Sequence, residues 1–449
     1  MKRIKVLLFA ILQGKLGILL LSIIWIIISL LITKFDRTAK MLFGFSIMSF
    51  IWISILLLLL FIYCAIRAKS QSTKIILSYL SILPICIIIG EAYSFYNLQN
   101  KDIDTKNCNV KSSGIYATDY YIPNEVTGYR AKPNIIATAR MINQKDDSVI
   151  YDISYDINEF GWRKTQSSND NSRQCFLFFG DSFTIGEGLN NNESLPFYFG
   201  QQVDMKIYNF GFHGYGPHQA LALLLSGEVK RTIKDCDEVI ALYESLPRHI
   251  SRANGFSPWE IGTKAPRFKI NGEKLEWLDT TTNKKSKFVR SIEHRLEQSY
   301  LYKFLQSRDT YKYDEKYNNL YFAIMLEMQK ELKTQLNAPL YVLLWDSNNL
   351  SDELEVQESN AITQWLETTF NNDIATMGGG AYMLASNILQ NYKIARENYS
   401  INKCEQHPNA IANRELAKFL ALNLKDSIIQ TNRIKAVKTT DSKTEKIQK

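Results

Sequence analysis

The sequence predicts an α/β fold, a mostly parallel sheet with helices on both faces, set behind three N-terminal transmembrane helices. Three observations carry this reading. Short apolar runs alternate with amphipathic helical stretches from residue 175 onward, as repeated βα units do. Three long runs almost free of charge precede residue 98. Between the two regions lies a polar stretch whose period-two alternation reads as short strands.

The membrane region is expected to cover residues 1–98, with spans at about 16–33, 42–66 and 75–97. Each approaches the ~20 residues a helix needs to cross the hydrocarbon core. A signal peptide is the competing reading of "LGILLLSIIWIIISLLI" (16–32). It is set aside because no small-residue cleavage site follows and two more apolar runs do. Lys2, Arg3, Lys5 and Lys15 precede the first span, and Arg67, Lys69 and Lys74 separate the second from the third. Against Lys34, Arg37 and Lys40 in the opposite loop, the bias favours a cytoplasmic N-terminus, and three spans then export everything beyond them.

Residues 99–170 are expected to form a β-rich lead-in, most clearly in "SVIYDISYDINEFGWR" (148–163). The α/β domain is expected over 171–428. Its strands are "CFLFFG" (175–180), "KIYNFG" (206–211), "EVIALYE" (238–244), "PLYVLLWD" (339–346) and "AYMLASNI" (381–388). Helices fall at "LPFYFGQQV" (195–203), "PHQALALLLSGEVK" (217–230), about 313–335, and "NAIANRELAKFLALNL" (409–424). Asn271-Gly272 in "FKINGEKLEWL" predicts a hairpin insertion near 262–280. The Lys/Thr/Ser-rich tail, 429–449, is expected to be disordered.

Composition excludes several classes. The net charge of +8 is dispersed, with no basic stripe on a recognisable module, so no nucleic-acid partner is expected. The glycines of "GFHGYG" lack the Lys-Ser/Thr of a phosphate loop, and no cofactor is expected. Cys64 and Cys86 lie in apolar runs. Cys108, Cys175, Cys236 and Cys404 allow three full pairings, among which the sequence does not choose. Cys404 and His407 have no further Cys or His ligand nearby, so no metal is expected.

The chemistry gathers at "FFGDSFTIGEGL" (178–189). Ser182 falls just past the first strand, exposed at the sheet's carboxyl edge, with the N–H groups of a following helix placed to hold an oxyanion. A helix N-cap at Asp181 or Ser182 is the alternative, and the stretch alone leaves both open. A serine nucleophile needs a base within reach. Of the five histidines, His213, His218, His249, His294 and His407, the last stands directly ahead of the final helix in "HPNAIANRELAKFL". His213 and His218 flank "GYGP" and are expected to line the cleft or surface.

Together, "FFGDSFTIGEGL", "YNFGFHGYGPHQ" and "EQHPNAIANRELA" resemble three blocks of the SGNH (GDSL-type) esterase and acyltransferase superfamily, over roughly residues 125–425. "YDINEFGWR" resembles the lead-in of bacterial membrane-anchored members. The resemblance implies a flavodoxin-like three-layer α/β/α domain. It implies Ser182 as nucleophile, His407 as base, the N–H groups of Gly211 and Ser182 as oxyanion donors, and Asp181 as a brace of the loop. Where members carry an aspartate two or three residues before the histidine, this chain has Glu405 and Cys404. The family's oxyanion asparagine is absent from "ALYESLPRHISRANG", leaving His249, Arg248 or Arg252 to donate. The implied activity is a serine esterase or O-acyltransferase acting on ester groups of envelope glycans or lipids, O-acetyl groups above all. Its partners would be the lipid bilayer and an ester-bearing glycan or lipid. Its place would be the bacterial inner membrane, multi-pass, with the α/β domain on the extracytoplasmic side. A catalytically silent glycan-binding or scaffolding module of the same fold is the alternative.

Overall fold

The computed structural model describes residues 45–104, 108–260, 263–278, 299, 301–302, 311–346, 352–370, 382–392 and 395–424. The chain divides into two compact units, Met1–Thr105 with Lys284–Thr310, and Lys106–Asn283 with Tyr311–Lys449. The expected tail, 429–449, lies outside the described residues.

In the first unit, helices α1 (Phe45–Arg67), α2 (Gln71–Leu80) and α3 (Ile82–Asp104) follow one another. Among the described residues one stretch, Gln71–Ser94, is long and apolar enough to cross a membrane. It matches the third expected span. The structure therefore supports one candidate span rather than three. The first, 16–33, lies outside the described residues, and the second falls on α1.

The second unit opens with the expected lead-in strands: β1 (Val110–Ser113), β2 (Tyr121–Asn124), β3 (Gly128–Ala131), β4 (Ile136–Asn143) and β5 (Ser148–Asp156). β4 pairs antiparallel with both β1 and β5, and β2 with β3. In β4 alternate residues are buried, which is the period its sequence carries.

The central sheet contains β6 (Gln174–Phe179), β7 (Lys206–Asn209), β8 (Glu238–Ser245), β11 (Leu340–Leu344) and β12 (Tyr382–Leu384). Its spatial order is β12-β11-β8-β6-β7, all parallel. Numbered along the chain this is 2-1-3-4-5 read from the β7 edge, the flavodoxin-like order. The order reverses beside β6, so the crevice at its carboxyl end is where such sheets hold their sites. β6, β8 and β11 are buried almost throughout, as parallel strands covered on both faces are. Along β6 the side chains alternate between two cores. Cys175, Leu177 and Phe179 join one, and Phe176 and Phe178 join the other.

The helices α5 (Leu195–Gly200), α7 (Lys316–Leu336) and α8 (410–424) fall where the periodicity puts them; α4 (Ser182–Ile185) follows the turn after β6, and the stretch expected over 217–230 is broken after α6 (Pro217–Leu225) by Gly227 at positive φ. Leu223, Ile324 and Met328 cover the first core; Phe199, Leu416 and Leu420 cover the second. Asn337, in the left-handed conformation, ends α7. The hairpin insertion is β9 (Arg267–Asn271) and β10 (Lys274–Leu278), joined through Gly272 at positive φ. Cys108 pairs with Cys404 and Cys175 with Cys236, one of the three pairings the sequence leaves open.

Candidate active site

The turn after β6 leaves no room for a side chain at Gly180. Its φ is +153°, and a Cβ there would lie 2.1 Å from Thr184 Oγ1 and 2.9 Å from the Glu244 carbonyl. Asp181 then caps α4, its Oδ1 accepting the Phe183 N–H at 3.0 Å. Asp181 takes the cap, and the Ser182 hydroxyl is left to face His407, with 2.8 Å between Oγ and Nε2.

His407 comes from the other end of the unit. Its loop is shaped by Asn402, whose Oδ1 accepts the N–H groups of Cys404 and Glu405 at 2.8 and 2.9 Å. The Cys108–Cys404 disulfide ties the loop to the lead-in. Asn409, two residues after His407, caps α8 by accepting the Ile411 and Ala412 N–H groups. The His407 ring is held between them, its Nδ1 hydrogen-bonded to Glu405 Oε1. Glu405 also accepts the His407 backbone N–H at 3.2 Å. Ser182, His407 and Glu405 therefore stand in a chain of hydrogen bonds.

Beneath the turn, Asp181 is fully buried and gathers positive charge. Arg252 Nη1 donates to its Oδ2 at 2.6 Å and also to the Tyr215 carbonyl at 2.7 Å. His249 Nε2 lies 3.4 Å from the same Oδ2, while its Nδ1 faces the Tyr243 hydroxyl at 2.7 Å and accepts the Leu246 N–H. Burial opposes ionisation of Asp181, but Arg252 and His249 outweigh it and hold the carboxyl well below the usual range. Burial also pulls His249 down to about 4, so its ring is neutral. His249 and Arg252 are thus directed onto the Asp181 brace. Their expected use as oxyanion donors meets side chains whose nearest acceptor is that carboxylate. Arg248 pairs with Asp352 at 2.9 Å, half-exposed.

Gly211 also departs from expectation. Its N–H donates to Asn209 Oδ1 at 3.0 Å and is already engaged. A Cβ there would sit 2.5 Å from the Thr184 side chain, so the residue serves close approach of this loop to α4. On the same loop the N–H groups of Phe212, Tyr215 and Gly216 are bonded. Those of His213 and Gly214, like that of Ser182, make no hydrogen bond among the described residues.

Sequence reasoning missed two residues. Glu187, in the same "GEG" stretch as Ser182, places Oε2 3.6 Å from His407 Nε2 and 2.8 Å from His213 Nδ1. Burial opposes the charge of His407, but Glu187 and Glu405 outweigh it and raise the imidazole to about 9. Arg163 is the second. It is 2% exposed and donates to the carbonyls of Ile185, Gly186 and Leu189 at 2.7, 2.7 and 2.6 Å, and from Nε to Asn191 Oδ1 at 2.9 Å. It binds the whole segment that carries Glu187. The signal for Arg163 was the "GWR" that ends the lead-in; for Glu187 it was a carboxylate set between two glycines beside a candidate nucleophile.

Among the described residues no group of three His, Cys, Asp or Glu is arranged to hold a metal. Clefts of about 350 Å³ beside β7 and about 640 Å³ beside α7 contain neither Ser182 nor His407.

No protein-family model and no curated protein matches the chain. Among solved structures it is similar to lipolytic proteins of the GDSL type. One is the lipase Lip_vut3 from a goat rumen metagenome, at 12% identity and TM-score 0.33, covering 56% of this chain and 97% of that one. A protein assigned to the G-D-S-L family from Desulfitobacterium hafniense DCB-2 has 11% identity and TM-score 0.32, covering 56% and 99%. A GDSL-like lipase from Bacteroides ovatus ATCC 8483 has 10% identity and TM-score 0.30, covering 71% and 74%.

Proposed function

We propose that the chain is a membrane-anchored SGNH-type serine esterase or O-acyltransferase that works through an acyl-serine intermediate. One observation carries the reading: the 2.8 Å approach of Ser182 Oγ to His407 Nε2, with Glu405 on the opposite ring nitrogen. Ser182 Oγ adds to the ester carbonyl as neutral His407 takes its proton at Nε2. The Ser182 N–H, joined by an open N–H of the His213–Gly214 turn, receives the oxyanion. The tetrahedral adduct collapses, the alcohol leaves with the proton from His407, and the acyl group remains on Ser182. Water then regenerates the serine in an esterase, or a sugar hydroxyl does so in an acyltransferase. Glu405 keeps Nδ1 protonated and Nε2 turned to the serine throughout.

Anchoring through Gln71–Ser94 and export of the second unit fit its two disulfides, which form in oxidising compartments. Ester-bearing envelope glycans or lipids are the substrates such a placement offers. Labelling with a fluorophosphonate tests the nucleophile. The wild-type chain should form an adduct on Ser182 and Ser182→Ala none; no adduct on folded wild type at any pH would overturn the reading. An alkaline-phosphatase reporter fused after residue 104 should be active if the second unit is exported.

The silent-module alternative draws on the engaged Gly211 N–H and on His249 and Arg252 turned toward Asp181. Glycan binding without any Ser182 adduct would favour it.

A further inference from the structure

His407 has a carboxylate at each ring nitrogen. Glu405 meets Nδ1, as a base-orienting group does, whereas Glu187 Oε2 stands 3.6 Å from Nε2, the nitrogen that faces Ser182. Glu187 is not a stray surface charge. Its carboxylate is held at Oε1 by the Tyr116 hydroxyl, 2.9 Å away, and at Oε2 by His213 Nδ1 at 2.8 Å, and its side chain is 13% exposed. Tyr121 donates in turn to the Tyr116 hydroxyl at 3.0 Å. Arg163 fixes the backbone on either side of it through the carbonyls of Gly186 and Leu189.

We propose that Glu187 is a positioning residue for His407, one that keeps the resting imidazole charged opposite Ser182 and so restrains serine activation at neutral pH. The idea rests on the serine-esterase reading above. Other titratable groups bear on the pair from every neighbouring element: Glu405 on its own loop, Asp181 from the turn after β6, His213 from the loop after β7, and Tyr116, Tyr120, Tyr121, Tyr151 and Tyr155 from the lead-in. Of these only the carboxylates favour the imidazolium, and Glu187 alone of them is within reach of Nε2. Ionised Glu187 is itself favoured by His407 and His213 against the cost of burial. A general base must be neutral to accept a proton, so a carboxylate at Nε2 costs activity below the imidazole's own pKa.

Two readouts test this on the full-length chain in detergent. The first is the titration of His407 by NMR of the imidazole. Glu187→Gln should lower its midpoint by at least one pH unit. Tyr116→Phe, which removes a hydrogen bond to Glu187 but keeps the charge, should leave the midpoint within a few tenths of a unit. The second is the rate of fluorophosphonate labelling of Ser182 at pH 7. A one-unit fall in the base's pKa raises its neutral fraction about tenfold while weakening it as a base, so Glu187→Gln should label about three- to tenfold faster. An unmoved midpoint in Glu187→Gln overturns the proposal, as does an equal shift in both variants, which would mark a packing effect. Slower labelling of a folded Glu187→Gln overturns it too. Absence of labelling in every protein at every pH instead sinks the esterase reading, and the proposal with it, while the NMR midpoint still reports whether Glu187 sets the charge of His407.

Discussion

Replacing Arg163 by methionine should unfasten the turn that carries Ser182. Arg163 donates to three backbone carbonyls, those of Ile185, Gly186 and Leu189, and to the Asn191 side chain, all from a position 2% exposed. Methionine fills much of the same volume but offers no donor. Each buried carbonyl left without a partner costs about 1–3 kcal/mol. The lower bound is the right one here, because the variant also recovers the cost of burying a guanidinium, which burial pushes below its ordinary pKa. The Gly186 carbonyl keeps the Leu189 N–H at 3.3 Å, so two carbonyls are left without a partner and give about 2 kcal/mol at that bound. For a unit of this size each kcal/mol moves the melting midpoint by roughly 2–4 °C, so a fall of about 4–8 °C is expected. Thermal melts followed by tryptophan fluorescence read it, and labelling of Ser182 should slow alongside because the released carbonyls of Ile185 and Gly186 close the helical turn that begins at Ser182. Arg163→Lys should recover less than half, since one ammonium cannot span four acceptors. A midpoint within about 2 °C of wild type, with native labelling, would refute the reasoning.

Further expectations concern the rest of the site. Glu405→Gln should leave the fold intact and lower kcat for a small chromogenic ester by about 10²–10⁴-fold, as loss of an orienting carboxylate does; retention of half the wild-type rate would remove Glu405 from the mechanism. Wild-type kcat/KM should rise with pH toward about 9, because the proton on His407 must leave before it can act as base; a profile already flat at pH 6 would contradict that. Asp181→Asn keeps a capping side chain but strips Arg252 of its partner. The folded pKa of Asp181 is depressed, so its contribution to stability is present above the unfolded value, near 4, and is lost as pH falls below it. The variant should therefore melt below wild type at pH 7, with the gap closing toward pH 3; a gap that does not change with pH would exclude the charge as its cause. Cys404→Ser should slow labelling of Ser182 more than Cys236→Ser does, since only the first frees the loop of His407.

Much of the sheet could be read from the sequence because its strands are buried on both faces and so appear as unbroken apolar runs. β6, β8 and β11 are of this kind. β12 is weaker, three half-buried residues that pass straight into a helical turn, and its sequence limits were correspondingly too wide. The approach of Ser182 to His407 followed from two strand-and-helix junctions whose place in a βα sheet is fixed by topology. What could not be read was the destination of side chains that cross the structure. Nothing local says that Asn209 turns back onto the Gly211 N–H, or that Arg252 reaches 71 residues back to Asp181. Glu187 escaped notice for a similar reason. Its partners, His407, His213 and Tyr116, come from three distant segments, and only the fold brings them to one carboxylate.

The disulfides carry a consequence for how the chain matures. Along the chain the cysteines emerge in the order 108, 175, 236, 404, and the native bonds are nested, 108 with 404 around 175 with 236. Pairing in order of emergence would join Cys108 to Cys175 and Cys236 to Cys404, both wrong. Cys108 must wait 296 residues for its partner, through the synthesis of the entire sheet. Any bond formed in order of emergence must therefore be exchanged before the native pair can close, over the seconds to hours that disulfide reshuffling takes. The yield of correctly assembled protein should depend on a disulfide isomerase more than on a thiol oxidase. The bond that spans the longer stretch of chain is the one that secures the loop of His407.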